Sequence, residues 1–397
     1  MRAASGARRS VRLQHGEAAR FIRFKRMCRA CPLVVGFSGG IMRLRLYARR
    51  RENNRRKRMK HTIRATGAVS VTAGLLFTVI LLVASSRTFA AAGDFLAGSF
   101  TSLYYFGAIL NTASLFMAAG LGDAVLLTTG EFNLGGEGQI YAGGFITAVV
   151  LSATSTFPPV VSLICALAAA MAVPACMTLV SGLLRQFKNA NILLTTFLVS
   201  AAVIPFIDSL IAGPFRGSYG NLLATSFIRE AVRFPHILAP SPLSAAACTL
   251  PLLCTAGWYF IYRTKQGKQL QITGISNEFA EYCGYPRTKI MYGTLAASGA
   301  LHGITGFIAV TGTYYTCHSG FYTGMGWDAL SCALIAGSNP AALIPSSLIL
   351  SWIFTSADRV ALNYNSGFDI SSLIQGIMLS CIAIQYAGGE KHDRHHS

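Results

Sequence analysis

The sequence predicts an all-α polytopic membrane protein with about nine to ten transmembrane or re-entrant helices, some broken near the midplane. Three observations carry this expectation. Hydrophobic residues make up 52% of the 397 residues and charged residues only 12%, about half the ~25% typical of soluble domains. Apolar runs near the ~20 residues needed to span a bilayer recur along the chain. Glycine and polar residues interrupt two of those runs. The apolar content also excludes disorder for most of the chain, and ten cysteines, mostly within apolar runs, give no disulfide framework.

The formal charge of +19 has to be located before it means anything. Residues 1–64 hold 20 Lys and Arg against Glu17 and Glu52, whereas residues 65–397 are almost balanced. The expected organisation is a basic extension over 1–58, a membrane domain over 59–390 and a polar tail over 391–397. The extension reads either as a basic arm for anionic lipid or nucleic acid, or as an over-extended gene start with Met59 as the true first residue. The lone pair Cys28 and Cys31 has no second pair to complete a zinc site.

The spans follow in order: Thr66–Ser86, Leu103–Leu121, the interrupted Asp123–Leu151, Val160–Leu184, Ile192–Ala212, Ser244–Ile261 and Ile290–Val310. Two shorter pieces, Trp327–Ala336 and Ala341–Thr355, precede a last run, Leu373–Ala387. Lys60 and Arg64 place the N-terminus in the cytoplasm under the positive-inside rule. Counting crossings then puts Arg185, Lys188 and the basic loop 263–289 on the same side. The side of the C-terminus stays open, because Trp327–Ala336 either crosses or re-enters.

The sharpest feature is Gly130-Glu131-Phe132-Asn133-Leu134-Gly135-Gly136-Glu137-Gly138-Gln139. A carboxylate at the bilayer centre costs roughly 2.5–3.5 kcal/mol on insertion scales. Glu131 and Glu137 must therefore face protein, water or a cation. The four glycines favour unwound backbone, which membranes tolerate only inside protein or along a cavity. Glu131, Phe132, Asn133, Glu137 and Gln139 are thus candidates for a translocation pathway, or else cross-links between helices. A second interruption, Gly320 to Asp328 followed by Asn339-Pro340, adds Phe321, Trp327, Asp328 and Asn339. Paired broken spans in the two halves of a chain mark a transporter's central site. The aromatic residues there either stack on a planar ligand or lie at the membrane interface. His302 reads as a hydrogen-bonding residue between helices, and Gly299, Gly303 and Gly306 as a close-packing face.

The cytoplasmic loop predicts one short helix, capped by Ser276, with Glu278 in its first turn and Gly284 and Pro286 ending it. It suits docking to a partner protein. No G-x-x-x-x-G-K-[ST], H-E-x-x-H or G-x-S-x-G motif occurs, so an enzyme reading has no site. Any ATPase must be another chain.

These residues resemble the membrane permease subunits of bacterial ABC importers, in the nucleoside and simple-sugar branch (branched-chain-type, ribose- and riboflavin-like). That branch shows G-x-F-N-I-G-x-E-G-Q, matched by Phe132, Asn133, Gly135, Glu137, Gly138 and Gln139. Ser181–Arg185 with Asn191–Thr196 resembles its next signature, with Ile192 where Glu is usual. Ala212-Gly213-Pro214 resembles a short turn of the branch. Gly274, Glu278, Ala280, Tyr282 and Gly284 resemble its ATPase-coupling region, with Ser276 and Asn277 replacing Asn-Pro and Glu281 replacing Arg. The resemblance covers roughly residues 66–388.

The resemblance implies a fold like type II ABC importer permeases, in the bacterial inner membrane among its lipids. It implies three partners: a second permease, a peripheral ATPase and an extracytoplasmic solute-binding protein, with no nucleic acid. This chain would bind no cofactor of its own, ATP being used by the partner. A nucleoside leads as solute, followed by riboflavin and simple sugars. The rival class is an ion-coupled secondary transporter using Glu131, Glu137 and His302.

Overall fold

The computed structural model describes residues 89–218 and 221–364, with scattered positions in 71–80 and 373–380. The basic extension 1–58 and most of the expected first and last spans lie outside the described residues. A run of short helical pieces, Ala90–Gly93, Asp94–Gly98 and Ser99–Thr101, leads into the membrane domain. Among the described residues ten α-helices follow: α1 Leu103–Leu127, α2 Gly136–Ala153, α3 Pro159–Lys188, α4 Ile192–Ala212, α5 Thr249–Arg263, α6 Lys265–Ile275, α7 Asn277–Tyr282, α8 Arg287–Ile308, α9 Met325–Ile335 and α10 Pro340–Asn363. Among the described residues, six helical stretches are long and apolar enough to cross a membrane: α1, α3, α4, Ala245–Arg263, Arg287–Tyr314 and α10.

Burial separates an inner layer from an outer one. In α1, 83% of the most apolar window is buried within the protein, and in Arg287–Tyr314 67%. In α3, α4 and Ala245–Arg263 the share is 28%. A helix that is apolar all round and largely uncovered by protein presents that surface to lipid. Exposed Val160, Ile164, Val173 and Val180 on α3 and Leu194, Leu198 and Phe206 on α4 form that surface. α8 packs against α1, α2 and α3. Its glycines permit the approach: a Cβ on Gly303 would meet the Ala170 carbonyl oxygen of α3, and on Gly299 that of Pro174. Small residues at such positions let membrane helices pack by direct backbone contact.

The structure departs from the sequence expectation in two places. The first helix does not stop at Leu121: α1 runs to Leu127, so Asp123 belongs to it and is 1% exposed. Nothing between Leu121 and Leu127 breaks a helix. The chain turns at Gly130, whose φ of 81° only glycine adopts readily. The break therefore covers 128–135, and α2 begins at Gly136. The loop 263–289 holds two helices, not one. Thr264 caps α6, its hydroxyl accepting from Gly267 N–H at 3.1 Å, an N-terminal signal masked by the glycines at 267 and 274. The shorter piece expected at Trp327–Ala336 is α9, whose 11 residues, about 16 Å at 1.5 Å per residue, fall short of the ~30 Å hydrocarbon core.

On the face away from the loop 263–289, the connection after α4 is tied to the segment after α8. Thr225, Ile228 and Phe234 N–H groups donate to the carbonyls of Cys317, Tyr315 and Thr311, each at 2.9 Å.

Candidate translocation site

The break between α1 and α2 is held by side chains where a helix would hold itself. Asn133 is 3% exposed and Gln139 1%. The Asn133 amide donates to Gln139 Oε1 at 2.8 Å and to Ser298 Oγ of α8 at 2.9 Å. Its Oδ1 accepts from Gln139 Nε2 at 3.0 Å and from Gly135 N–H at 2.9 Å. The two amides thus close a ring across the break. α4 supplies two hydroxyls to backbone groups that the break leaves open. Leu134 N–H donates to Thr196 Oγ1 at 3.2 Å, and Gly138 N–H to Ser200 Oγ at 2.8 Å. Unwound backbone survives at membrane depth when its polar groups are satisfied in this way.

Glu137, half-buried in the first turn of α2, reaches the second interruption: its Oε1 accepts from Gly324 N–H at 2.9 Å. Gly324 is the residue preceding α9 and has φ 83°. A carboxylate is favoured at a helix N-terminus by the orphan N–H groups and the dipole. Gly326 packs directly on Glu137, where a Cβ would stand 2.5 Å from its backbone nitrogen. The two broken elements therefore meet N-terminus to N-terminus. Between them Asn133, Leu134, Gly136, Glu137, Gly326, Trp327 and Leu330 line a narrow crevice.

Five of the expected pathway residues gather here: Asn133, Glu137, Gln139, Trp327 and Asp328. Asp328 lies one turn into α9 and its Oδ1 accepts from Gln375 Nε2 at 2.6 Å. Glu131 and Phe132 are half-buried in the break beside them. Phe321 is buried, its ring packed among Tyr141, Tyr314, His318 and Tyr322. Asn339 sits past the other end of α9 and caps α10, its Oδ1 accepting from Ala341 N–H at 3.2 Å.

In the loop 263–289, Ser276 Oγ accepts from Phe279 N–H at 3.2 Å and so caps α7. Glu278 is exposed in its first turn, Ala280 fully buried, and Gly284 turns the chain at φ 75°. Ile275 at the end of α6 and Phe279 and Tyr282 on α7 are 76%, 57% and 87% exposed. Gly274 ties the loop to the break, since a Cβ there would meet the Thr128 carbonyl oxygen at the end of α1.

Sequence reasoning missed Asp123, Thr196, Ser200 and Ser298. An acid inside the apolar run of α1 was a visible signal for Asp123. Hydroxyls in apolar helices are too common to mark the other three. Asp208 on α4 was missed too, and accepts from Tyr141 O–H at 2.6 Å and Ser319 O–H at 2.7 Å.

Residues 105–383 match the family described as branched-chain amino acid transport system / permease component. The chain belongs to this family of ABC permeases. It is 32% identical over 329 residues to the probable riboflavin import permease protein RfuC of Treponema pallidum, covering 83% of this chain and 87% of that one. It is 22% identical to the guanosine ABC transporter permease protein NupP of Bacillus subtilis, covering 83% and 95%. A glucose ABC transporter permease protein, TsgB13 of Haloferax volcanii, is 22% identical over 70% and 76% of the two chains. This chain is thus the multi-pass permease component of an ABC importer, and the ion-coupled secondary transporter is set aside.

Proposed function

We propose that this permease moves a solute joining a planar ring to a ribose-like chain, with riboflavin first and a nucleoside second. The observation that carries the order is the 32% identity, at high coverage of both chains, to a protein named for riboflavin import. The guanosine relative, covered over 95% of its length, supports the second reading. Chemically, the crevice is lined by the Trp327 indole and the Glu137 carboxylate. A flat ring with hydroxyls attached needs such a set. A second permease facing this one would complete the passage.

The energising chain is a separate ATPase docking on α6 and α7. The exposed Ile275, Phe279 and Tyr282 support this, since an apolar patch outside the membrane marks an interaction site. The basic loop 263–289 supports a cytoplasmic position for this surface, and with it an inner-membrane protein with a cytoplasmic N-terminus. An extracytoplasmic binding protein delivers the solute to the opposite face. Deleting the gene and measuring uptake of labelled riboflavin and guanosine tests the solute. Loss of riboflavin uptake, restored by the plasmid-borne gene, is expected. Unchanged uptake of both would refute the proposal.

A further inference from the structure

The pathway residues leave one buried ionisable pair unused. Asp123 of α1 and His302 of α8 are 1% and 0% exposed, and His302 Nε2 lies 3.5 Å from Asp123 Oδ1. The other ring nitrogen, Nδ1, is 2.8 Å from the Ser298 carbonyl oxygen. A carbonyl only accepts, so Nδ1 carries a hydrogen. Nε2 and Oδ1 then face each other across the interior, and among the described residues both carboxylate oxygens lack any other hydrogen-bond partner. An ionised Asp123 beside a neutral imidazole would be a bare buried charge, which an interior does not tolerate. One proton between the two groups removes it, whether it resides on oxygen or on nitrogen.

The position of the ring gives the pair its role. A Cβ on Gly136 would stand 3.0 Å from His302 Nε2, and a Cβ on Gly122 of α1 3.0 Å from Nδ1. The imidazole is therefore wedged between α1 and the first residue of α2. One turn earlier on α8, Ser298 receives Asn133. A single turn of α8 thus holds both ends of the segment 133–136, and Asp123 fixes the orientation of the ring that does half of it.

We infer that Asp123 and His302 share one proton inside the membrane and act as the positioning pair for the break, setting where α2 begins. They touch no solute in this arrangement. The inference uses the importer reading only for its uptake readout.

The test is made in the full chain, in cells lacking the native copy. Leu134→Cys, half-buried at the crevice, reports the position of the break through its rate of modification by a membrane-permeant maleimide, read at residue 134 by mass spectrometry. Asp123→Ala and His302→Ala should each raise that rate at least fivefold. Without the added cysteine, each should lower riboflavin uptake at least tenfold. Asp123→Asn should keep both within about twofold of the parent, because its amide donates to Nε2 and leaves the pair neutral. Unchanged labelling in both alanine variants would overturn the inference. So would Asp123→Asn behaving like Asp123→Ala, which would make charge itself the requirement. If the alanine variants do not accumulate in the membrane, Asp123→Asn decides alone by the same two readouts. Should the parent chain move no riboflavin, the solute proposal falls and the labelling result still judges the pair.

Discussion

Replacing Asn133 by Ala should unfasten the break. Asn133 makes four hydrogen bonds, two of them with Gln139. A net hydrogen bond is worth about 1 kcal/mol, and a buried group left unpaired costs about 1–3 kcal/mol. The variant orphans both ends of the Gln139 amide and the Gly135 N–H. Allowing for non-additivity, the loss should be about 2–4 kcal/mol. Gln139→Ala should cost less, because Asn133 keeps Ser298 and Gly135. The double variant removes both amides together and leaves neither one orphaned. It should be hardly worse than Asn133→Ala alone, giving a coupling of about 1–2 kcal/mol, near the upper end for polar pairs in membrane proteins. The assay is denaturant unfolding of the detergent-solubilised chain, followed by circular dichroism for the four members of the cycle. Additive losses, with a coupling near zero, would refute the interlocked ring.

Three other outcomes follow from the same geometry. Glu137→Gln keeps an acceptor for Gly324 N–H but loses the charge-assisted part, about 1 kcal/mol; solute uptake should fall about fivefold, and more than tenfold in Glu137→Ala, at unchanged membrane abundance, whereas full uptake by Glu137→Gln would remove the role of the charge. Gly138→Ala places a Cβ 2.8 Å from Ser200 Cα, an overpacking of about 1–3 kcal/mol; the melting temperature in detergent should drop and uptake should fall with it. Ser276→Ala removes the α7 cap, about 0.5–2 kcal/mol; the ATPase subunit recovered with the permease should decrease, while the permease itself stays at parental level.

The fold class was legible because a bilayer constrains composition so strongly. Runs such as Ile192–Ala212 end at the residues that the sequence indicates. The break was legible because two carboxylates and four glycines in an apolar region admit few arrangements. What holds the break was not. Thr196, Ser200, Ser298 and His302 meet the segment 133–138 across 62 to 166 positions of chain, and single-sequence periodicity carries no such information. The start of α2 was displaced for a related reason. Asp123 looked like a polar boundary, yet in the folded chain His302 faces it and lets α1 continue to Leu127. Asn339 illustrates the opposite case, where a motif position carries a local duty: it caps α10.

The claim that everything else depends on is that this chain works as an ATP-driven importer through the joined breaks at Glu137 and Gly324. The most direct test is to purify the tagged chain from native membranes in mild detergent, reconstitute what comes with it into liposomes, and measure solute uptake with and without ATP. The account predicts recovery of an ATPase and a second permease, with uptake that requires ATP and falls in Glu137→Ala. Recovery of the chain alone, carrying solute without ATP and indifferent to Glu137, would contradict it.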